Sequence, residues 1–571
     1  MVCQALYDFV DDYTKWIDEQ ETNLPLLDAV YHKPARRIIH KMRTTCSRMK
    51  NAIILLQANN EVACAFAVSN QAMHDQMQQA NQLKGIHREC FWRPFQLAFF
   101  LTTLVSAIDD KDDFRDYVDL IWFATGGGKT EAYLGLTAFV IAYRRLVYPD
   151  SAGGLTAFMR YTLRLLTTQQ FLRASRMICA LELLRQQKTI EDFAGKSFLL
   201  LGDEPITIGL WVGGATSPNT IKQAQDSLNA GRLQNFVFTH CPWCDSVFDK
   251  HNFVIADNDF SIVCRHPTCR FYNHSLPCQV VDDIIYQRPP TLIVATLDKF
   301  ARLTWEERAN CFFGNSNRPP ELIIQDELHL IAGSLGSVAG VYEAAIETVL
   351  QARGMKPKYI ASTATIKEAK DQVQKLFARP LSVFPPQGLS ADDAYFAKIV
   401  PLSQRAGRLY VGYFSPILKR QNNVIPLAAT LFLAPFIVSD KFDGVDLDAW
   451  WTKIFYHGSL KGVGNTHNAL DIGLRRFCDR LVQEKQAMMA YDNENMVFKA
   501  STPTRYDWRI KQLTSNATAT ELLQTFADLL KPQGDKACID TVLATNMVAV
   551  GLDVTRLALM VINGPVSYTH L

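Results

Sequence analysis

The chain has 571 residues, 48% hydrophobic and 20% charged, with a net charge of +2. That length allows about two to four domains, and the composition excludes a disordered or fibrous chain. The near-neutral balance means that any nucleic-acid surface is a local groove, because the molecule as a whole is not basic.

No apolar run reaches the ~18 residues of a membrane span. Gln96 to Ile108 and Leu427 to Val438 come nearest, and both read as core. The N-terminus passes directly into Tyr7-Asp8-Phe9-Val10-Asp11-Asp12, acidic where a secretory signal is basic. Most of the 13 cysteines are scattered, which suits a reducing compartment. The expectation is a cytoplasmic protein without a membrane partner.

Residues 1 to about 88 read as a polar, helical accessory region, with apolar residues at helical spacing from Ile53 to Val68. No chemistry is evident there. At Phe91-Trp92-Arg93-Pro94-Phe95-Gln96-Leu97 the chain changes character. Ahead of a phosphate loop, the Gln96 amide can offer a donor and an acceptor to an adenine edge.

The strand-like run Tyr117 to Phe123 leads into Ala124-Thr125-Gly126-Gly127-Gly128-Lys129-Thr130-Glu131, and a helical pattern follows. Strand, glycine loop and helix together form the context of a phosphate-binding loop. There, backbone N–H groups and the helix N-terminus face phosphate oxygens. Lys129 is expected to reach the β- and γ-phosphates of ATP, and the Thr130 hydroxyl to hold Mg²⁺. One departure stands out, because Phe123 occupies the position where the pattern wants Gly or Ala.

Beyond the loop helix, Gly154 to Arg164 reads as a strand ending in polar residues, followed by a helix with Thr167, Thr168, Arg173, Arg176 and Arg185. Arg160, Arg164 and Thr168 suit phosphodiester contacts, which position a strand without reading its sequence. A solvated helix face explains the later arginines equally well. Cys241-Pro242-Trp243-Cys244 and, nineteen residues on, Cys264 to Cys269 are two short cysteine pairs flanking a hairpin-length spacer. Such spacing lets four thiolates meet in a tetrahedron around a structural Zn²⁺, with a disulfide or chance as the alternatives. His266 and Cys278 are possible substitutes.

Thr291 to Thr296 reads as a buried strand whose terminal Thr296 is a further nucleic-acid candidate. Glu321-Leu322-Ile323-Ile324-Gln325-Asp326-Glu327-Leu328-His329 delivers an acidic pair from a strand. One carboxylate, Asp326, is suited to Mg²⁺, and Glu327 to orienting the attacking water. Lys358 to Thr365 is another strand, bringing hydroxyls to the same edge. Phe384-Pro385-Pro386-Gln387-Gly388 punctuates the end of this domain, and a second α/β domain begins near Gly407. It contains strand-like runs at Lys453 to Leu460 and Thr541 to Val554, with a polar turn at Gln512 to Ser515.

Gln96, Lys129, Asp326 to His329, and Ser362 to Thr365 stand in the order and approximate spacing of superfamily 2 helicases. From about residue 91 to 563 the chain resembles these enzymes. The glycine loop, Arg160-Tyr161-Thr162-Leu163-Arg164, the cysteine insert and Asp326-Glu327-Leu328-His329 resemble the helicase subunit of the bacterial DISARM anti-phage system. The resemblance implies an α/β fold of two RecA-like parallel-sheet lobes. The expected organisation is a helical accessory region at 1–88, an ATP-binding lobe at 89–388 with a zinc-ribbon insertion at 238–282, and a second lobe at 405–565.

It also implies a catalytic part for His329 and a coupling role for Ser362, Thr363 and Thr365. In the second lobe it implies a phosphate-backbone contact at Thr545 and nucleotide contacts at Gly551 and Asp553. The activity implied is an ATP-dependent helicase or translocase, with DNA as substrate and other defence subunits as possible partners. An ATP-gated nucleic-acid sensor that recruits partners would need the same ATP site. The resemblance further implies a later Gln-x-x-x-Arg-x-Gly-Arg-like motif, so the chain is expected to be truncated. Residues 566–571 are expected to be a non-native tail.

Overall fold

A computed structural model describes the chain except residues 1, 124–126, 163, 192–196, 215, 364–367, 391, 415–419, 442–446, 492–507, 515, 518, 546–553, 555 and 564–571. At Arg164 and some other helix and strand positions only the backbone is described. The chain divides into two compact units, Met1–Gln404 and Arg405–Leu571.

The strands of the first unit are β1 (Val118–Trp122), β2 (Ala157–Tyr161), β3 (Thr189–Glu191), β4 (Ser197–Leu199), β5 (Ile208–Trp211), β6 (Phe253–Ala256), β7 (Asp259–Ile262), β8 (Cys278–Gln279), β9 (Leu292–Thr296), β10 (Leu322–Gln325), β11 (Lys358–Thr363) and β12 (Leu381–Phe384). Eight of them form one sheet in the order β12-β1-β11-β10-β2-β9-β5-β8, and every pairing in it is parallel. Runs such as Leu322-Ile323-Ile324 are buried on both faces, as a parallel sheet between helical layers requires.

The N-terminal helices are α1 (Val2–Asn23), α2 (Ala29–Ala58) and α3 (Asn60–Leu83), followed by α4 (Pro94–Ile108), α5 (Lys129–Val147) and α6 (Arg164–Gln187). Asn59 caps α3 by accepting the Val62 N–H at 2.8 Å, and Pro94 starts α4 with its φ preset. The N-terminal region is built into the first unit. Helix α2 packs on α4, and α3 packs on both α5 and α6. Trp92 lies so close to α5 that a Cβ at Gly135 would sit 2.6 Å from its ring, and its indole N–H donates to Asn70 Oδ1 at 2.7 Å.

The insertion between β5 and β8 carries the β6–β7 hairpin. Its two turn residues, Asp257 and Asn258, both have positive φ (49° and 60°), the geometry that matches the twist of paired strands. Among the described residues, no single helix is long and apolar enough to cross a membrane.

The second unit holds β13 (Lys453–His457), β14 (Ile510–Leu513), β15 (Thr541–Ala544) and β16 (Leu559–Asn563), parallel in the order β14-β15-β13-β16. The stretch 405–414, including the expected start near Gly407, has no regular structure, and its Leu409, Val411 and Phe414 are exposed.

Candidate nucleotide site and cysteine cluster

Parallel pairing brings the chemistry to one edge. Trp122 at the end of β1 pairs with Thr363 in β11, Gln325 in β10 pairs with both Ala361 and Arg160, and Tyr161 pairs with Thr296. The segments that leave these strands therefore emerge side by side at the C-terminal ends, where parallel α/β sheets bind ligands.

The glycine loop turns into α5 at Gly128, whose φ of 92° favours glycine. A Cβ there would also lie 2.8 Å from Gln96 Nε2. Gln96 braces this turn: its amide donates to the Gly128 carbonyl at 2.8 Å and accepts the Arg93 N–H at 2.9 Å. Arg93 in turn donates to the Gly127 carbonyl at 2.6 Å. The amide expected to meet adenine is thus engaged by the loop itself. Phe123, the departure from the loop pattern, stacks on Phe95 of α4 at 4.0 Å and 6°, and its carbonyl accepts Lys129 Nζ at 2.9 Å. Thr125 and Gly126 lie outside the described residues.

Asp326 is buried and its carboxylate accepts three hydrogen bonds. Its Oδ1 accepts the Ser362 hydroxyl and, at 2.9 Å, the Glu327 N–H, while Oδ2 accepts the Tyr133 hydroxyl at 2.8 Å. Tyr133 also lies 3.1 Å from Thr130 Oγ1 and 3.3 Å from the Tyr161 hydroxyl. Burial and the Asp326 charge push both tyrosine phenols upward, which keeps them protonated.

Glu327 contrasts with its neighbour. It stands at a left-handed φ of 47°, a conformation that a glutamate rarely takes and that clusters at functional sites. Burial, and next the Asp326 charge, raise its carboxyl to about 7, against the opposing pull of Lys129. Its Oε2 lies 3.4 Å from His329 Nδ1 yet has no hydrogen-bond partner among the described residues. The separation is short enough for an electrostatic contact, and the alignment is too poor for a hydrogen bond. His329 Nδ1 also lies 3.2 Å from Thr363 Oγ1. Thr365 lies outside the described residues.

The expected nucleic-acid contacts fare differently. Arg160 needs correction as a surface contact: it is 1% exposed, ion-paired with Glu343, and 5.5 Å from the Phe300 ring. Strand alternation is the cause, since Phe158 and Arg160 share the face of β2 that packs on Phe300. Thr168, Thr296 and Thr545 are buried too. The Arg164 side chain is not described, and Gly551 and Asp553 lie outside the described residues. Arg173 pairs with Glu131, Arg176 donates to the Pro242 carbonyl at 2.9 Å, and Arg185 pairs with Glu182 at 2.7 Å. The later arginines therefore have structural partners.

Cys241, Cys244, Cys264 and Cys269 converge, with all four sulfurs within 4.8 Å of one another. Cys241 and Cys269 are 3.9 Å apart, and Cys244 and Cys264 are 3.6 Å apart. A tetrahedron with Zn–S bonds of ~2.3 Å has S···S edges of roughly 3.8 Å, whereas a disulfide needs about 2 Å. The donor set fits zinc with no open position. His266 instead lies 3.0 Å from the Thr268 hydroxyl, and Cys278 is buried in β8; neither joins the cluster. The module is fastened to the helices by Gln79, which donates to the Trp243 carbonyl at 2.9 Å, and by Arg176.

Tyr133, Tyr161, Arg93 and Glu343 went unnoticed in the sequence. Only Tyr133, three residues beyond Thr130 on a helix and so on the same face, carried a usable signal.

The parallel sheets, the loop and the acidic edge define the class: an α/β fold of two RecA-like parallel-sheet domains, the first with the phosphate loop, together with a helical N-terminal region and a zinc-ribbon-like cysteine insert. Within it, the chain is a relative of the DISARM protein DrmA of Bacillus paralicheniformis, 34% identical over 98% of this chain and 54% of that protein. It spans about half the length of that relative. No protein-family model matches the chain. Among solved structures, the chain is similar to the Mycobacterium smegmatis helicase Lhr bound to ssDNA and AMP-PNP, at 12% identity and a TM-score of 0.42. That match covers 82% of this chain and 41% of the other. It is also similar to the DUF1998 helicase MrfA bound to DNA and AMPPNP, at 13% identity and a TM-score of 0.44, covering 86% and 46%.

Proposed function

We propose that this chain is the ATP-driven part of a nucleic-acid helicase or translocase acting on DNA in anti-phage defence. The observation that carries this reading is the convergence of Lys129, Thr130, Asp326, Glu327 and Ser362 at one sheet edge. Lys129 takes the β- and γ-phosphates, and exchanging the Phe123 carbonyl for phosphate needs only a rotation of its flexible stem. Thr130 and Asp326 are the oxygen donors for Mg²⁺, a hard cation that prefers such ligands. Bound with ATP, that ion supplies charge neutralisation on the phosphate oxygens. Glu327 Oε2, which has no hydrogen-bond partner among the described residues, is the carboxylate oxygen that orients a water for attack.

Ser362, bonded to Asp326, and Thr363, beside His329, tie strand β11 to the acidic pair, in keeping with a coupling role shared with Thr365. Gln96 keeps a second amide N–H and a second acceptor lone pair for adenine while the first of each braces the Gly128 turn. The roles of Thr545, Gly551 and Asp553 rest on the resemblance alone. The four cysteines hold a structural zinc.

ATP hydrolysis measured with single-stranded DNA, duplex DNA and RNA, alongside strand displacement, tests the proposal. DNA-stimulated hydrolysis with displacement or directional movement is the expected result. Stimulation without movement would favour an ATP-gated sensor, and failure to bind ATP would overturn both readings.

A further inference from the structure

Helix α5 places Tyr133 one turn beyond Thr130, and the tyrosine is completely buried. Three oxygens surround its hydroxyl: Asp326 Oδ2 at 2.8 Å, Thr130 Oγ1 at 3.1 Å and the Tyr161 hydroxyl at 3.3 Å. A phenol has a single proton to donate. Asp326 is the nearest and the only charged acceptor, so it takes that proton. Thr130 Oγ1 is the second acceptor toward which the phenol is directed, and the Tyr161 hydroxyl can donate to the phenolic oxygen. The other carboxylate oxygen is held by Ser362 and by the Glu327 N–H. No second donor to Asp326 Oδ2 is found among the described residues, so without Tyr133 that oxygen loses its hydrogen bond and the carboxylate is held from one side alone.

The two protein oxygens assigned above to the cation therefore meet on one rigid side chain. We propose that Tyr133 is the positioning residue of the divalent-cation site, its hydroxyl fixing the Asp326 carboxylate and the Thr130 hydroxyl in mutual register. Tyr161, at the end of β2, backs it from the neighbouring strand. The inference rests on the nucleotide-site reading above. Outer partners of metal ligands affect affinity because they set ligand orientation, and losing one weakens binding by ~10–100-fold. A tyrosine that merely filled space would be replaceable by phenylalanine without any change in cation affinity.

The test is Mn²⁺ binding followed by electron paramagnetic resonance, with a non-hydrolysable ATP analogue present, on the parent protein, Tyr133→Phe and Tyr161→Phe. Analogue binding without any divalent cation is measured in parallel. Tyr133→Phe is expected to need about tenfold more Mn²⁺ for half-saturation, and Tyr161→Phe about two- to threefold more. Cation-free analogue binding is expected to stay within about twofold, the ring and the phosphate loop being intact.

Equal or tighter Mn²⁺ binding by Tyr133→Phe overturns the inference. Should that variant not fold, an unchanged titration for Tyr161→Phe overturns it instead. A parent protein that binds the analogue and Mn²⁺ normally isolates such a failure to the tyrosines. A parent that binds neither sinks the nucleotide-site reading, and this inference with it.

Discussion

Asp119 and Lys358 stand near the starts of β1 and β11, while the glycine loop and Ser362 lie toward the ends of the same two strands. At the starting end, Asp119 is gripped by both Arg48 Nη atoms at 2.7 Å and by Lys358 at 2.8 Å, all deeply buried. Lys358 also donates to the Phe114 and Tyr117 carbonyls, at 2.5 and 2.7 Å. Every charge there is closed off. At the far end, Glu327 Oε2 and Glu131 Oε2 are buried without hydrogen-bond partners among the described residues, and Glu327 is held in a left-handed backbone. One end is arranged for stability. The other keeps unfilled polar capacity, which a fold retains where it has chemistry to do.

The largest expected effects lie at the open end and fall on activity. Lys129→Ala should remove nucleotide binding and hydrolysis together, because the phosphates lose their nearest cation. Glu327→Gln should leave nucleotide binding in place and slow turnover by roughly 10²–10⁴, the usual worth of a positioned acid–base group. Its melting temperature should be held or raised, since the substitution removes a buried carboxylate that lacks a donor. Single-turnover ATPase and thermal unfolding on the same samples check this. A variant that hydrolyses ATP like the parent ends the assignment of Glu327.

The closed end should respond in the opposite way. Arg48→Ala leaves Asp119 with one cation in place of two, and breaking a buried pair destabilises by about 3–5 kcal/mol. Urea unfolding should show this loss, while nucleotide affinity at the far end of the sheet stays near the parent value. If affinity collapses and stability does not, the division between the two ends is wrong.

That division was only half legible in the sequence. The far end announced itself because Gly126 to Thr130 and Asp326 to His329 each follow a continuous apolar run, and strand-then-motif is a local signal. The cysteines were equally local: their spacing picked out the four that meet, with His266 and Cys278 left as possible substitutes. Arg48 gave nothing away, since its partner lies 71 residues further on and no periodicity links a helix arginine to a particular strand carboxylate. The region 1–88 therefore read as an accessory, although it supplies Arg48, one of the two cations of the buried charge cluster. Arg160 misled for a related reason. Its place at a strand's C-terminal end suggested a phosphate contact, whereas strand alternation turned its side chain toward Phe300 and Glu343.

The cysteine module offers an intermediate case, with an effect of shorter reach. Chelation of the metal, or Cys264→Ser, should release amide-exchange protection across residues 238–280, because so small an insert has little core of its own. Protection in β1, β10 and β11 should persist. Helix α6 is the place where the loss could spread, since Arg176 holds the Pro242 carbonyl. A metal analysis finding no zinc in protein prepared without chelators would remove the basis for this prediction.

The smallest effect concerns the closed cluster itself, which holds two cations for one carboxylate. The cations hold the Asp119 carboxyl down at about 2, overcoming its burial, whereas burial pushes the Lys358 ammonium down to about 8 despite the carboxylate beside it. The two partners thus disagree about whether their contact favours the charged state. The bidentate Arg48 contact resolves this, because a guanidinium is always charged and fits a carboxylate with two parallel bonds. Lys358 is then the surplus cation.

The signs follow from the direction of each shift. A depressed acid contributes stability above its ordinary 3.8 and loses it as pH falls toward 2, here roughly 2–3 kcal/mol. A depressed lysine opposes folding below about 8, and stability is regained as pH rises from there toward the ordinary 10.5. Lys358→Met should therefore be neutral or stabilising near pH 7 and should flatten the alkaline rise, while keeping the acid loss that Asp119 and Arg48 set. Urea unfolding of the parent and both variants across these two pH windows measures it. If Lys358→Met destabilises at pH 7 as much as Arg48→Ala does, both cations are needed and the surplus argument fails.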